Sequence, residues 1–366
     1  MKIALIAILV FHGLVHLFGF AKAFRLAPLS ELKKEIAKSN GILWLGTSAS
    51  YLFTALLLLA GNNFWSLVPF VSIPLSQYLI FTSWKDAKWG TTVNVIILVA
   101  AIIGYGSWRF NASYKNEIKI NLKKSTLDQD SILTEYDLLE LPELIQKYIR
   151  YTGALGKPKV KNFKVEFSGQ IRKNEESDWM PFTSQQYNFM ASSTRLFFMK
   201  ATMKHLPIAG YHRFINGQAY MDIRLFSLYT VQYQSGKEMG IAETVTFFND
   251  MCCMAPATLI DKRIKWLEAG DRKVNAQFTN NNISISAWLY FNDQGELVNF
   301  ISNDRYAAQE NNTMNQLPWS TPLKNYKDFS GHKLPSYADA IYIYPKSPFW
   351  YGAFTLRKIE YNCKDL

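Results

Sequence analysis

A chain of 366 residues carries a net charge of +11, and 49% of its residues are hydrophobic. The charge calls for an anionic partner, but no run of Lys or Arg exceeds two and no nucleic-acid-binding motif occurs, which excludes nucleic acid in favour of anionic lipid. A mean hydropathy near zero conceals two populations, a strongly apolar stretch over residues 1–108 and a polar, aromatic remainder.

The apolar stretch reads as a four-helix transmembrane domain, because a span needs about 20 mainly apolar residues to cross about 30 Å of hydrocarbon. The first span runs from Ile3 to Ala21. Ala21-Lys22-Ala23 resembles a signal-peptidase site, but three further apolar segments and two internal histidines argue for a retained helix. The second span is Gly41 to Ala60 and the third is Trp65 to Thr82, with kinks expected at Pro69 and Pro74. The fourth is Thr91 to Trp108. Trp44, Trp65, Trp84, Trp89 and Trp108 lie near segment ends, where amphipathic rings favour the membrane interface.

Lys22, Arg25, Lys33, Lys34 and Lys38 follow the first span, and Lys85 and Lys88 follow the third. The positive-inside rule places these loops in the cytoplasm, and an even number of spans then puts the large C-terminal domain outside the cytoplasmic membrane. Arg109, Lys115, Lys119, Lys123 and Lys124 pull the other way, although long domains translocate with little regard to charge. His12 and His16 share one helix face inside the bilayer. They are weak candidates to hold a metal or haem or to relay protons, as in a membrane redox protein. Alternatively they are neutral imidazoles bonded to other helices, with Ser48, Ser50 and Tyr51 as partners.

Residues 109–137 read as a polar linker without clear periodicity, and residues 138–366 as a soluble β-rich domain. Leu138 to Tyr151 has helical spacing, with Gly153 and Gly156 to stop it. From Val160 the period becomes two, and about ten strands follow, among them Phe182–Met190, Arg195–Met203, His212–Ile215, Gln218–Ile223, Ile283–Phe291 and Gly352–Tyr361. Asn216-Gly217 is the strongest hairpin signal. Met239 to Met254 interrupts the strands with helical spacing. The expected class is α+β: four membrane helices, then an antiparallel half-barrel with one or two packed helices and a concave apolar cavity.

Within that cavity Arg213 and Arg224 are candidates to face an anionic headgroup, and Tyr220 and Phe248 to face an apolar tail. Trp179 and Trp350, with Pro318-Trp319, are candidates to line the mouth or to pin turns. Glu243 is expected to meet Arg213 or Arg224. No Ser-His-Asp, HExxH, Walker, Rossmann or nucleophile-elbow pattern appears, so no catalytic residue is assigned and no cofactor is expected. Cys252, Cys253 and Cys363 lack metal-ligand spacing; Cys363 pairs with Cys252 or Cys253 if the domain is external, or all three stay reduced and buried.

The segment LPELIQKYIRYTGALGKPKV, Trp179-Met180-Pro181-Phe182, Gln185-Gln186, PATLID at Pro256–Asp261, Pro318-Trp319, Trp350-Tyr351-Gly352 and Glu360-Tyr361 resemble a family of uncharacterised bacterial proteins. Gly13-Leu14-Val15-His16-Leu17 with Gly19 to Phe24 resembles the first helix of its membrane-attached members. The resemblance implies a membrane protein without a known activity. In layout the soluble part is similar to the half-barrels of LolA-like lipoprotein and lipid carriers, which implies binding of a lipid or other apolar ligand. The other function classes are the metal- or haem-dependent redox protein and an envelope structural or sensory protein that binds another protein.

Overall fold

The computed structural model describes residues 2–29, 33–125, 131–308 and 313–366. They form two compact units, Met1–Phe110 and Asn111–Leu366.

The first unit contains α1 (Lys2–Ala23), α2 (Lys38–Leu59), α3 (Pro69–Thr82), the single turn α4 (Trp84–Ala87) and the first part of α5 (Gly90–Ser125). Lys2–Ala23, Lys38–Leu59, Asn63–Thr82 and Gly90–Ser125 are long and apolar enough to cross a membrane. Large apolar side chains point outward, Phe11 at 69% exposure and Leu56 at 64%, the arrangement that suits a hydrocarbon solvent rather than water. Small residues let the backbones approach. A Cβ on Gly19 would lie 2.3 Å from the Trp44 ring, and one on Gly41 would lie 2.4 Å from Ala23 Cβ. Trp44 therefore fills a helix contact and is buried, not at an interface as its position suggested. Pro69 opens α3 at its first turn, where its missing N–H is tolerated, so of the two expected kink sites only Pro74 lies inside the helix.

The fourth apolar helix does not stop at Trp108. It continues to Ser125 through much of the segment read as a linker. Tyr114, Ile118, Asn121 and Leu122 are buried at helical spacing. Their polar neighbours hid that stripe from a search for apolar runs.

The second unit is a curled antiparallel sheet. Its strands are β1 (Asn162–Ile171), β2 (Met180–Phe189), β3 (Thr194–Met203), β4 (Leu206–Ile215), β5 (Gln218–Leu225) and β6 (Tyr229–Ser235). After α7 (Lys237–Met254) come β7 (Ile264–Ala269), β8 (Lys273–Asn280), β9 (Ile283–Phe291) and β10 (Leu297–Ser302). A separate hairpin, β11 (Tyr306–Ala308) with β12 (Met314–Gln316), precedes β13 (Trp319–Ser320), β14 (Leu323–Phe329), β15 (His332–Ile343) and β16 (Pro348–Tyr361). Among the described residues the order is β6-β5-β4-β3-β2-β1-β16-β15-β13-β10-β9-β8-β7, with β14 paired to β15 off that path. β7 and β14 escaped the sequence reading because each buries only its first residue and shows no clean alternation.

α7 touches β4, β5 and β6 near one end of this order and β9 and β10 near the other. A flat sheet of that width cannot reach one helix from both ends, so the sheet wraps α7 and α7 lies on its concave side. The β4–β5 turn holds the helix. Asn216 and Gly217 both take positive φ (51° and 85°), as the Asn-Gly signal requires. Gly240 of α7 sits against that turn so closely that a Cβ would lie 2.3 Å from the Gly217 carbonyl oxygen. One side of α7 feeds the core: Phe248 stacks on Phe278 at 5.2 Å and meets Phe300 at 5.7 Å. Each such ring contributes about 1.5–3 kcal/mol by leaving water. α6 (Glu143–Tyr151) packs beside α7, with Tyr148 Oη donating to the Cys252 carbonyl at 2.8 Å.

Candidate functional site

The other side of α7 faces a cavity of about 810 Å³ between the helix and the concave sheet. Ligand pockets span about 300–1,000 Å³, so this one is of ligand size. Met239, Glu243, Thr246, Asp250 and Cys253 line it at steps of three and four, which makes one stripe along α7. The facing walls are mostly apolar, with Phe167 from β1, Phe197 and Met199 from β3, Met221 from β5 and Phe354 from β16. The β1–β2 loop, from Arg172 to Glu176, borders the cavity and is largely exposed, so it forms the rim.

The cavity floor is charged. Arg195 of β3 is buried and spends its guanidinium on three partners. Nε donates to Asp250 Oδ2 at 2.9 Å, Nη1 to Glu243 Oε2 at 3.0 Å and Nη2 to Gln186 Oε1 at 2.9 Å. Asp250 Oδ2 also accepts from Gln186 Nε2 at 2.8 Å and Asn188 Nδ2 at 3.1 Å. His212 Nδ1 lies 3.2 Å from Glu243 Oε1. Burial alone would raise the Glu243 carboxyl, but the charge of Arg195 and the hydrogen bond with His212 outweigh it and hold it at about 2. At Asp250 burial prevails over Arg195 and the amide donors, and the carboxyl is pushed up.

A second arginine, Arg305, reaches the same cavity between β10 and the β11–β12 hairpin. Its Nη1 donates to the Ala242 carbonyl of α7 at 2.7 Å and to Thr246 Oγ1. Its guanidinium lies 4.5 Å from the Trp319 ring centre and 5.9 Å from that of Tyr342.

The six side chains singled out from the sequence stand around this cavity without lining it. Arg213 lies on the convex face, where Nε bonds both oxygens of Glu117 at 2.7 and 2.9 Å. Arg224, on the same face, pairs with Asp222 at 2.7 Å. Tyr220 packs between Tyr211 and Tyr233 there. Phe248 is on the core side of α7. Trp179 stacks on Arg172, 4.7 Å from Cζ to ring centre, and the Trp350 carbonyl accepts from Arg172 Nε at 2.7 Å, so both brace the rim. Their sequence neighbours Phe349 and Tyr351 do line the cavity, as does Trp319. Glu243 meets neither Arg213 nor Arg224. On strands the inward residues are Arg195 and His212, one position out of phase with the arginine chosen. The missed residues left one trace in the sequence: Glu243, Thr246, Asn249 and Asp250 make a polar stripe on an otherwise apolar helix.

His12 and His16 are buried among the helices of the first unit. His12 Nε2 donates to Asn94 Oδ1 at 3.0 Å, and His16 Nε2 lies 2.9 Å from Ser76 Oγ. Tyr51 Oη also donates to Asn94 Oδ1, at 2.7 Å. Asn94 and Ser76 thus replace the expected Ser48 and Ser50 as partners, and a metal at either Nε2 would have to break these bonds. No group of three or more His, Cys, Asp or Glu suited to a metal occurs among the described residues. Cys252, Cys253 and Cys363 are free, Cys252 on the core side of α7 and Cys253 on the cavity side. Burial pushes both α7 thiols up, which suppresses thiolate reactivity.

A profile of the family described as "Family of unknown function (DUF6544)" matches residues 131–354, more than half of the chain. The chain belongs to this family. The matched residues contain α6, α7, β1 to β15 and the first half of β16. No curated protein matches the chain. Among solved structures, a LolA superfamily protein from Nitrosomonas europaea shares 9% identity with a TM-score of 0.29, over 60% of this chain and 91% of that one. A DUF1329 family protein from Desulfovibrio piger shares 8% identity with a TM-score of 0.35, over 63% of this chain and 94% of that one.

Proposed function

We propose that this chain is a membrane-anchored binding protein whose half-barrel takes up a lipid or other apolar ligand. The observation that carries the reading is the cavity of about 810 Å³ walled by Phe167, Phe197, Met199, Met221 and Phe354. Space of that size with apolar walls costs the fold packing energy that a filled core would have gained. A ligand that places methylenes against those walls recovers about 0.8 kcal/mol for each one buried. The charged floor, tied to α7 and β3, fixes the wall geometry. Residues 1–108 act as the multi-pass membrane anchor, and residues 138–366 as the binding domain on the outer side of the cytoplasmic membrane. The basic loops after the first and third apolar helices support that side.

The test uses the full chain in phosphatidylcholine nanodiscs doped with a lipid that carries a diazirine on its acyl chain. After irradiation, peptide mass spectrometry locates the adducts. Labelling of β3, β5 and α7 at cavity-facing residues is expected. Labelling confined to α1–α5, with none in the sheet, would refute the reading.

A further inference from the structure

The two arginines that reach the cavity differ in what they hold. Arg195 spends Nε, Nη1 and Nη2 on Asp250, Glu243 and Gln186, so it is a finished structural tie. Arg305 is unfinished. Nη1 donates to a carbonyl and a hydroxyl, the Tyr342 hydroxyl also interacts with the guanidinium, and Nε is buried without a hydrogen-bond partner. No carboxylate lies within ion-pair distance of Arg305 among the described residues. Glu243, the acid on the adjoining face of α7, already gives one oxygen to Arg195 and the other to His212. A half-buried cation that feels Glu243 only at a distance, with no acid paired to it, is poorly compensated, and a guanidinium offers five N–H donors in a planar fork that matches a carboxylate or a phosphate. Trp319 under the guanidinium fixes its plane and leaves the edge to bond. The same cavity that presents Arg305 presents Phe167, Met199 and Phe354.

We infer that Arg305 is the headgroup anchor of the cavity, and that the ligand is an anionic amphiphile whose carboxylate or phosphate pairs with this guanidinium while its acyl chain lies along the apolar wall. This rests on the apolar-cavity reading above and adds the charge class of the ligand. It also transfers to Arg305 the role that sequence reasoning gave to Arg213 and Arg224.

The full chain in phosphatidylcholine nanodiscs is loaded with a fluorescent fatty acid, which is then displaced by oleate, by oleoyl lysophosphatidate or by methyl oleate. The wild-type protein is expected to prefer one or both anionic competitors over the methyl ester by about tenfold or more, the scale of a charge-assisted hydrogen bond. Preference for oleate alone identifies a carboxylate ligand, and preference for lysophosphatidate a phosphate. Arg305→Gln is expected to remove that preference while methyl oleate still displaces the probe, which shows that the cavity is intact. Equal displacement by acid and ester in the wild-type protein would overturn the inference and leave the cavity reading standing. If none of the three displaces the probe, or the probe does not bind, both fail. The wild-type comparison decides the matter even if the substitution disturbs folding.

Discussion

The concave and convex faces of the sheet carry similar residues and do different things. Each has an arginine bonded to a carboxylate from a helix: Arg195 with Glu243 and Asp250 of α7 inside, Arg213 with Glu117 of α5 outside. Outside, the helix end fills the space it covers. Tyr114 lies on Phe198 and Tyr211 and donates to the Gln185 carbonyl at 2.9 Å. Inside, α7 meets the core with one side and leaves a hollow at the other. A single strand such as β3 serves both, with Phe197 and Met199 toward the hollow and Phe198 toward α5. What leaves a hollow on one face and none on the other is therefore the shape of the helix cover, not the residue types on the strand.

Breaking the inner tie should have the largest effect. Arg195→Met strands Glu243 and Asp250 without their cation, and loss of one partner from a buried pair costs about 3–5 kcal/mol. Unfolding of the full chain in detergent, followed by tryptophan fluorescence, reads this directly. Next comes Glu243→Gln, expected to cost about 1.5–3 kcal/mol because hydrogen bonds to a charged group are lost. Its pH dependence is sharper. The Glu243 carboxyl falls from its ordinary 4.5 to about 2 in the folded protein. A depressed acid contributes stability that is present above the ordinary value and is lost as pH drops through 4.5 toward 2. The stability gap between wild type and Glu243→Gln should therefore narrow over that window. A gap that widens on acidification would contradict the assignment.

In the helical unit Asn94 gathers His12, Tyr51, Ser76 and Gln77. Asn94→Leu should cost about 1–2 kcal/mol, since bonds between apolar helices average about 0.6 kcal/mol each and reach about 1.7. Loss of helical signal on heating in detergent measures it. The smallest effect belongs to the outer tie. Arg213 and Glu117 are each about a quarter exposed. Arg213→Ala should cost about 1 kcal/mol or less, after solvent screening, and should leave displacement of the fluorescent fatty acid unchanged. A Arg213→Ala protein with weakened displacement would mean that the two faces are coupled.

The sequence made the architecture legible wherever one physical signal dominated. Apolar runs marked the four long helices, alternation marked β1, and the Asn-Gly pair marked the β4–β5 turn. It did not show the end of α5, because that stretch packs a narrow stripe of Tyr114, Ile118 and Leu122 under a coat of lysines. It did not show the site, because β3 is buried on both sides: Arg195, Phe197 and Met199 alternate with Leu196 and Phe198. Period two separates the faces of such a strand without telling which one is hollow. That depends on Gly240 seating α7 against the β4–β5 turn, a contact between residues of separate elements.

The central claim is that the hollow side, and only that side, receives an acyl chain. Its most direct test places the photoreactive residue benzoylphenylalanine at Met221 on the concave face or at Tyr233 on the convex face, in the full chain within native membranes. Irradiation followed by intact-protein mass spectrometry should add the mass of a lipid to the Met221 variant and not to the Tyr233 variant. Adducts of equal yield at both positions, or at Tyr233 alone, would contradict it.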